Sequence, residues 1–210
     1  MRQLSSRLER LPAGAASAAA FAAFQVSVIG FSAPVARLER DDIYVLRDDG
    51  GSIAGGFVIG TRSPFRALET LAPADQAALE SKLDLDDTVE IYGAMLAPEL
   101  RSGLQSTAFW FAAMRAIKRY GKRTMLGSTI QHGLRKLYSS AGGALICESV
   151  TEYNGRTCVA SVYAWQVRSM ALGFISGAMR RQWQKLTRAA RPAVATLAGM
   201  QAPAAARKAG

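Results

Sequence analysis

One stretch constrains this chain more than any other. Thr88 to Leu96 is a strand-like run, stopped by Ala97-Pro98, and it gives way within a few residues to the strongest helical pattern in the molecule. That helix begins at Ser102 or its neighbours and runs to about Tyr120, with Leu104, Ala108, Phe111, Ala112, Met114 and Ile117 forming a broad apolar face; Gly121 ends it. A strand that turns tightly into a long helix is half of a strand–helix–strand crossover, the connection that parallel strands need. The chain is therefore expected to be α/β, with a mixed sheet whose centre is parallel.

The flanking sequence fits that frame. Ile43 to Leu46 and Ser52 to Gly60 are strand runs on either side of Arg47-Asp48-Asp49-Gly50-Gly51, a hairpin in which Asp-Gly supplies positive φ. Pro73 and Asp75 open a short helix that reaches about Leu83. Beyond the long helix come a strand at 123–127, a helix at 129–141 closed by Gly142-Gly143, and two strands, 144–150 and 157–165, around Glu152-Tyr153-Asn154-Gly155. This order, with helices covering a sheet whose flanks are antiparallel, describes one domain at 41–165.

The two ends read differently. Residues 1–40 form an Ala-rich segment in which Arg2, Arg7 and Arg10 precede an uncharged stretch from Leu11 to Ala36. It can be a helix that is soluble or partly buried, or a targeting segment, although alanine brings high helix propensity and little apolar area for insertion. Residues 166–191 place Leu172, Ile175, Met179, Trp183 and Leu186 at helical spacing beside Arg180, Arg181, Lys185 and Arg188, a basic amphipathic helix that could pack on the domain or touch a membrane surface. Residues 192–210 have the Ala/Pro composition of a disordered tail.

Charge belongs mostly to that C-terminal extension. The formal net charge is +10, yet residues 1–165 hold 18 Lys/Arg against 16 Asp/Glu, while 166–210 hold eight Lys/Arg and no acid. A basic tail suits an anionic surface or an acidic partner, and with no nucleic-acid motif present that function class is set aside. Cys147 and Cys158 have no metal-ligand spacing and the chain has one histidine, His132, so neither a metal site nor a Cys/His nucleophile is expected. The two cysteines are expected as buried free thiols, and His132 as a solvent-facing residue at a helix start.

Three features resemble the GCN5-related N-acetyltransferase (GNAT) superfamily. The segment from Glu90 to Gly103 is similar to that family's strand-to-helix turn of Val-x-Pro-x-x-Arg-Gly type, and a strand end followed by free backbone N–H groups at a helix start makes an anion site. The family's Arg-x-x-Gly-x-Gly/Ala becomes Arg101-Ser102-Gly103-Leu104-Gln105-Ser106 here, with leucine where the family has glycine. Gln131 to Gly143 is similar to the family's Asn-x-x-Ala-x-x-Leu-Tyr-x-x-x-Gly-Phe helix; Leu137, Tyr138 and Gly142 match, while Gln131, Leu134 and Gly143 depart. The spacing between these segments agrees as well, over Asp41 to Ala164.

The resemblance implies an enzyme that moves an acyl group from a pantetheine thioester, on acyl-CoA or acyl carrier protein, to an amine by direct attack, with no permanently bound cofactor. It implies catalytic roles for Tyr138, as acid to the departing thiolate, and Glu90, as base toward the amine, often through water. It implies a thioester site at Met95, Leu96, Arg101, Ser102, Gly103, Leu104, Gln105 and Ser106. Residues 44–46 and Gly60-Thr61-Arg62 are loosely similar to the N-acyl amino acid synthase and acyl-homoserine lactone synthase branch. A cytoplasmic protein, soluble or attached to a membrane surface, follows as an expectation. The competing readings remain open: Tyr138 as a core tyrosine, Glu90 as an exposed strand residue, and the whole chain as a non-catalytic binding or membrane-associated protein whose cofactor turn has degenerated.

Overall fold

The structure is a computed structural model, and it describes residues 8–101, 103–153 and 156–170. In chain order its elements are β1 (Glu9–Arg10), α1 (Ala15–Ile29), α2 (Val35–Arg40), β2 (Asp42–Arg47), β3 (Ile53–Gly60), α3 (Arg66–Glu69), α4 (Pro73–Glu80), β4 (Thr88–Leu96), α5 (Gly103–Lys118), β5 (Thr124–Thr129), α6 (His132–Ser140), β6 (Ala144–Tyr153) and β7 (Arg156–Gln166). The strands form one sheet in the order β1-β2-β3-β4-β5-β7-β6. Among the described strands only β4 and β5 run parallel, joined by α5; every other neighbouring pair is antiparallel.

Period-two alternation sorts the side chains to two faces. Toward α1 and α2 point Ile43, Val45, Val58 and Tyr92, which pack with Phe21, Phe24 and Leu38; further along the same face Leu126, Ala160 and Val162 pack with Phe65, Leu68 and Leu79 of the α3–α4 region. Toward α5 and α6 point Phe57, Val89, Leu96, Met125, Tyr163 and Trp165, packed with Phe109, Ala113, Met114 and Ile117.

Within residues 8–40 the Ala-rich segment holds two helices, α1 and α2, and it is built into the core. β1 pairs with β2, and Ala18 and Phe21 of α1 are fully buried against the sheet. Residues 8–40 therefore share one body with 41–165, and a boundary at Asp41 does not mark an edge of the fold. No helix among the described residues is long and apolar enough to cross a membrane. Of the basic helix expected at 166–191, Gln166 ends β7 and residues 167–169 form a turn; the rest of it beyond residue 170, with the tail, lies outside the described residues.

The hairpin turn is held by Asp48, whose Oδ1 accepts from the N–H groups of Gly50 (3.0 Å) and Ser52 (2.9 Å). Positive φ falls on Gly51 (+79°), one residue later than Asp-Gly suggests. Cys147 and Cys158 are free and only half-buried, a correction to the expected buried thiols; they face Val162 and Thr151 respectively, so they are not cross-strand neighbours. Burial pushes the Cys147 thiol up. Among the described residues no group of three His, Cys, Asp or Glu could hold a metal ion.

Candidate active site

The parallel pairing at the centre of the sheet is short. β4 and β5 are in register at Thr88–Thr124, Val89–Met125 and Glu90–Leu126, and there the ladder stops although β4 continues through six further residues to Leu96. The cause is a bulge. Gly93 has φ +58°, and the β3–β4 register shifts between Gly56 and Val58, so Tyr92 and Gly93 both turn toward α1. A bulge bends and twists its strand, and here β4 leaves β5 while still paired with β3 up to Leu96. Past Glu90 no β4 residue is paired in register with β5 among the described residues, in the middle of a sheet.

α1 fixes this bend. Gln25, 2% exposed, accepts the Ala33 N–H at its Oε1 (2.9 Å), and a Cβ on Gly93 would stand 2.4 Å from its Nε2. The positive φ and this close approach each call for glycine at position 93.

Tyr138 packs against Trp165, which borders the opening. The Tyr138 ring stands edge-on to Tyr163 (5.4 Å, 84°) and to Trp165 (5.3 Å, 77°). Trp165 in turn lies over Gly127, the first β5 residue past the ladder: a Cβ there would sit 3.3 Å from the indole and 3.8 Å from the carbonyl oxygen of Ile91, the first β4 residue past it. The same indole fills the space beside Gly143, where a Cβ would come within 2.6 Å of it. The indole leaves no room for a side chain at position 143, where the family motif has phenylalanine. Trp165 itself carried no signal in the sequence, because both residues that clear space for it lie on other elements. The Tyr138 hydroxyl has no hydrogen-bond partner among the described residues. Burial, and to a lesser degree Tyr163, push its pKa up to about 12, so it stays protonated at neutral pH.

Glu90 is not the exposed strand residue that alternation suggested. It is 1% exposed, on the α1–α4 face, because the start of α3 descends onto it. Its carboxylate accepts the N–H of Arg66 at Oε1 and that of Ala67 at Oε2, both at 2.9 Å, with the Arg37 guanidinium 3.4 Å from Oε1. Arg37 also pairs with Glu69 and donates to the Pro64 carbonyl, while Asp41 beside it accepts from Tyr92 (2.9 Å). Burial outweighs the two N–H donors and Arg37 and raises the Glu90 pKa to about 7. Desolvation by burial, reinforced by Asp41, also holds the Tyr92 phenol protonated.

At the far end of β4, Leu96 is buried on the α5 face and Met95 packs partly against the α1 side. A single 3-10 turn, Pro98–Leu100, leads to α5. Arg101 is exposed and its Nε donates to the Leu96 carbonyl (2.9 Å), so it clasps the end of β4 at the point where α5 begins. Gly103 is the first residue of α5, and Gln105 and Ser106 in its first turn are half-buried. Ser102 and the side chain of Leu104 lie outside the described residues. His132 is exposed, as expected.

Solved structures share the fold. FeeM, an N-acyl amino acid synthase from uncultured soil microbes, superposes with a TM-score of 0.58 at 12% identity, over 80% of this chain and 93% of its own. A GCN5-related N-acetyltransferase from Brucella melitensis gives 0.50 at 15% identity over 82% and 80% of the two chains. The fold is that of the GNAT acetyltransferases. A protein assigned as an acetyltransferase from Acinetobacter baylyi gives 0.53 at 11% identity, over 79% of this chain and 94% of that one. No protein-family model and no curated protein matches the chain by sequence. The GNAT likeness is thus one of backbone. Of the expected site residues, Tyr138 packs against Tyr163 and Trp165 on the α5–α6 side of the sheet. The structure sets Glu90 just before the opening on the other side, and puts Met95, Leu96, Arg101 and Gly103 at its outer end.

Proposed function

We propose that this chain transfers an acyl group from a pantetheine thioester to an amine, with the reaction taking place in the β4–β5 opening. The observation that carries the reading is the opening itself: the β4–β5 ladder stops at Glu90 while β4 runs on beside β3 to Leu96, with Glu90 enclosed on one face of the sheet and Tyr138 packed on the other. A pantetheine arm carries two amides, and an extended amide chain is what unpaired strand groups can bond. The first-turn N–H groups of α5, with Arg101 beside them, suit the phosphates that follow the arm. The donor enters from the α5–α6 side and the amine from the α1–α4 side.

Direct attack then needs two proton transfers on opposite sides of one carbonyl. The amine nitrogen forms a bond to the thioester carbon and loses a proton toward Glu90. Because Glu90 is enclosed, that proton travels through a water, and a carboxyl with a pKa of about 7 is matched to receive it. Collapse of the tetrahedral adduct breaks the C–S bond, and the Tyr138 hydroxyl, protonated and without a described partner, supplies the proton to the thiolate. No covalent enzyme intermediate is required. The backbone likeness to an N-acyl amino acid synthase makes amino acids the first acceptors to try, with acyl-CoA and acyl carrier protein as the donors to compare.

The test is a binding titration with acetyl-CoA, a long-chain acyl-CoA, free CoA and acyl carrier protein, followed by acceptor screening. Saturable stabilisation by at least one thioester, weakened in Arg101→Glu, is expected. No response to any donor would sink the enzyme reading and leave a non-catalytic protein that retains a GNAT fold.

A further inference from the structure

At the other end of α5, a cavity of about 620 Å³ lies between the helix end and the sheet edge formed by β1 and β2. Arg10 and Tyr44 wall it on the sheet side, and Arg115, Arg119 and Tyr120 on the helix side, over a floor that includes Ala112. Ala112, the lining residue nearest the start of α5 at Gly103, lies nine residues along the helix, about 14 Å from the turn that follows β4. We propose that the cavity binds a phosphate monoester with a small apolar or aromatic organic part.

The proton inventory selects an anion. Tyr120 donates to Asp42, and because each phenol has one proton, the contact between Tyr44 and Tyr120 (3.0 Å) is a bond donated by Tyr44. Arg10 bonds the same Asp42 carboxylate. The one acid in this network is thus neutralised within the wall, and both hydroxyl protons run inward. Burial first, and then the Asp42 and Tyr44 contacts, hold the Tyr120 phenol protonated. What remains free is cationic. Arg115 and Arg119 are four residues apart, so they share a helix face, and neither has a hydrogen-bond or ion-pair partner among the described residues.

Helix-end arginines often serve the last carbonyls of their own helix. Here those carbonyls already have donors: Ala116, Ile117 and Lys118 accept from the N–H groups of Arg119 (3.1 Å), Tyr120 (3.1 Å) and Gly121 (3.2 Å). Two unspent guanidiniums therefore face the cavity, with Arg10 beside them. Forked donors fit phosphate oxygens, and a monoester brings a charge of about −2 at neutral pH to match. The volume is that of a small-molecule pocket, and the tyrosine rings and alanine floor suit an apolar or aromatic group.

The test is titration of the full chain with phenyl phosphate, with inorganic phosphate and phenol as separate arms. The expected result is saturable binding of phenyl phosphate, weaker binding of phosphate and none of phenol. Arg115→Glu and Arg119→Glu should each weaken phenyl phosphate binding by about tenfold or more, the loss of one charge-assisted bond. Ala112→Trp, which fills the cavity without changing charge, should do the same. Co-sedimentation with phosphatidic acid vesicles separates a lipid headgroup from a soluble ester, and loss of vesicle binding in the same variants assigns the former. Acetyl-CoA binding measured alongside should not change in any variant, which keeps this site distinct from the thioester site. No saturable response in the wild type, or unaltered affinity in all three variants, overturns the proposal.

Discussion

Glu90 and Tyr138 are both buried enough for their titration to be displaced upward, but the consequences differ. For Glu90 the shift from 4.5 to about 7 means that the folded state holds a proton which the unfolded chain releases. That contribution is complete below about pH 4.5 and is lost as pH rises through 7, so unfolding free energy should fall by roughly 3 kcal/mol across this window. Glu90→Gln removes the titration. Urea midpoints measured from about pH 5 to about pH 8 should lose most of their downward slope, although absolute stability drops because the amide cannot accept from both Arg66 and Ala67. An unchanged slope would show that another group sets the pH dependence. Tyr138, by contrast, titrates near 12, so it should impose no alkaline limb on the rate near neutral pH. Its hydroxyl holds nothing in place among the described residues, and Tyr138→Phe should therefore leave the melting temperature within about a degree while lowering kcat by about 10²-fold or more at an unchanged thioester KM. A variant that kept full kcat would return Tyr138 to the role of an aromatic wall beside Trp165.

At the scale of elements, β4 controls the site, and Gly93 controls β4. Gly93→Ala places a side chain at φ +58° and its Cβ 2.4 Å from the Gln25 amide, so a cost of about 2–4 kcal/mol is expected from the backbone strain and the displaced buried amide. If the strand straightens to relieve it, β4 closes toward β5 and thioester affinity falls as well. Calorimetry with and without acetyl-CoA separates the two effects, and a fully stable, fully binding variant would contradict the bulge as the cause of the opening. Much of this element was legible in advance: an unbroken run from Thr88 with Pro98 as its stop yields the strand to the residue, and the helix after it follows from its apolar face. The bulge was not legible. Gly93 is one glycine among apolar residues, and its meaning comes from Gln25, which is 68 positions earlier and belongs to a helix whose docking no local pattern reveals. The reading of Glu90 as an exposed strand residue failed for the same reason. Alternation tells which side of a sheet a residue takes, but the short α3 that covers Glu90 leaves too little periodicity to be seen, and β1, two residues long, leaves none.

For the whole molecule, the open question in the sequence was whether the Ala-rich segment belongs to the fold, and packing answers it. α1 buries Phe21 completely, and a Cβ on Gly56 of β3 would touch the Phe21 ring at 2.5 Å, so helix and sheet meet without a spacer. Ala18 and Ala22, unsuited to driving membrane insertion, are suited to this close approach, and both are buried. Val45 and Val58, 0% exposed in the intact chain, have α1 as part of their cover. Burying Phe21 and Phe24 alone contributes about 3–6 kcal/mol, comparable with the 5–15 kcal/mol or so that separates a typical folded domain from its unfolded chain. A chain that starts at Asp41 keeps every residue of the family-like motifs yet loses that cover, the Gln25 anchor and the partner of β2. It should show no cooperative thermal transition, bind a hydrophobic dye, and fail to bind acetyl-CoA, whereas a chain starting at Leu8 should melt cooperatively. A cooperative transition near the wild-type temperature in the shorter chain would mean that α1 covers a sheet already stable without it, and that the β4–β5 opening is set by the sheet alone.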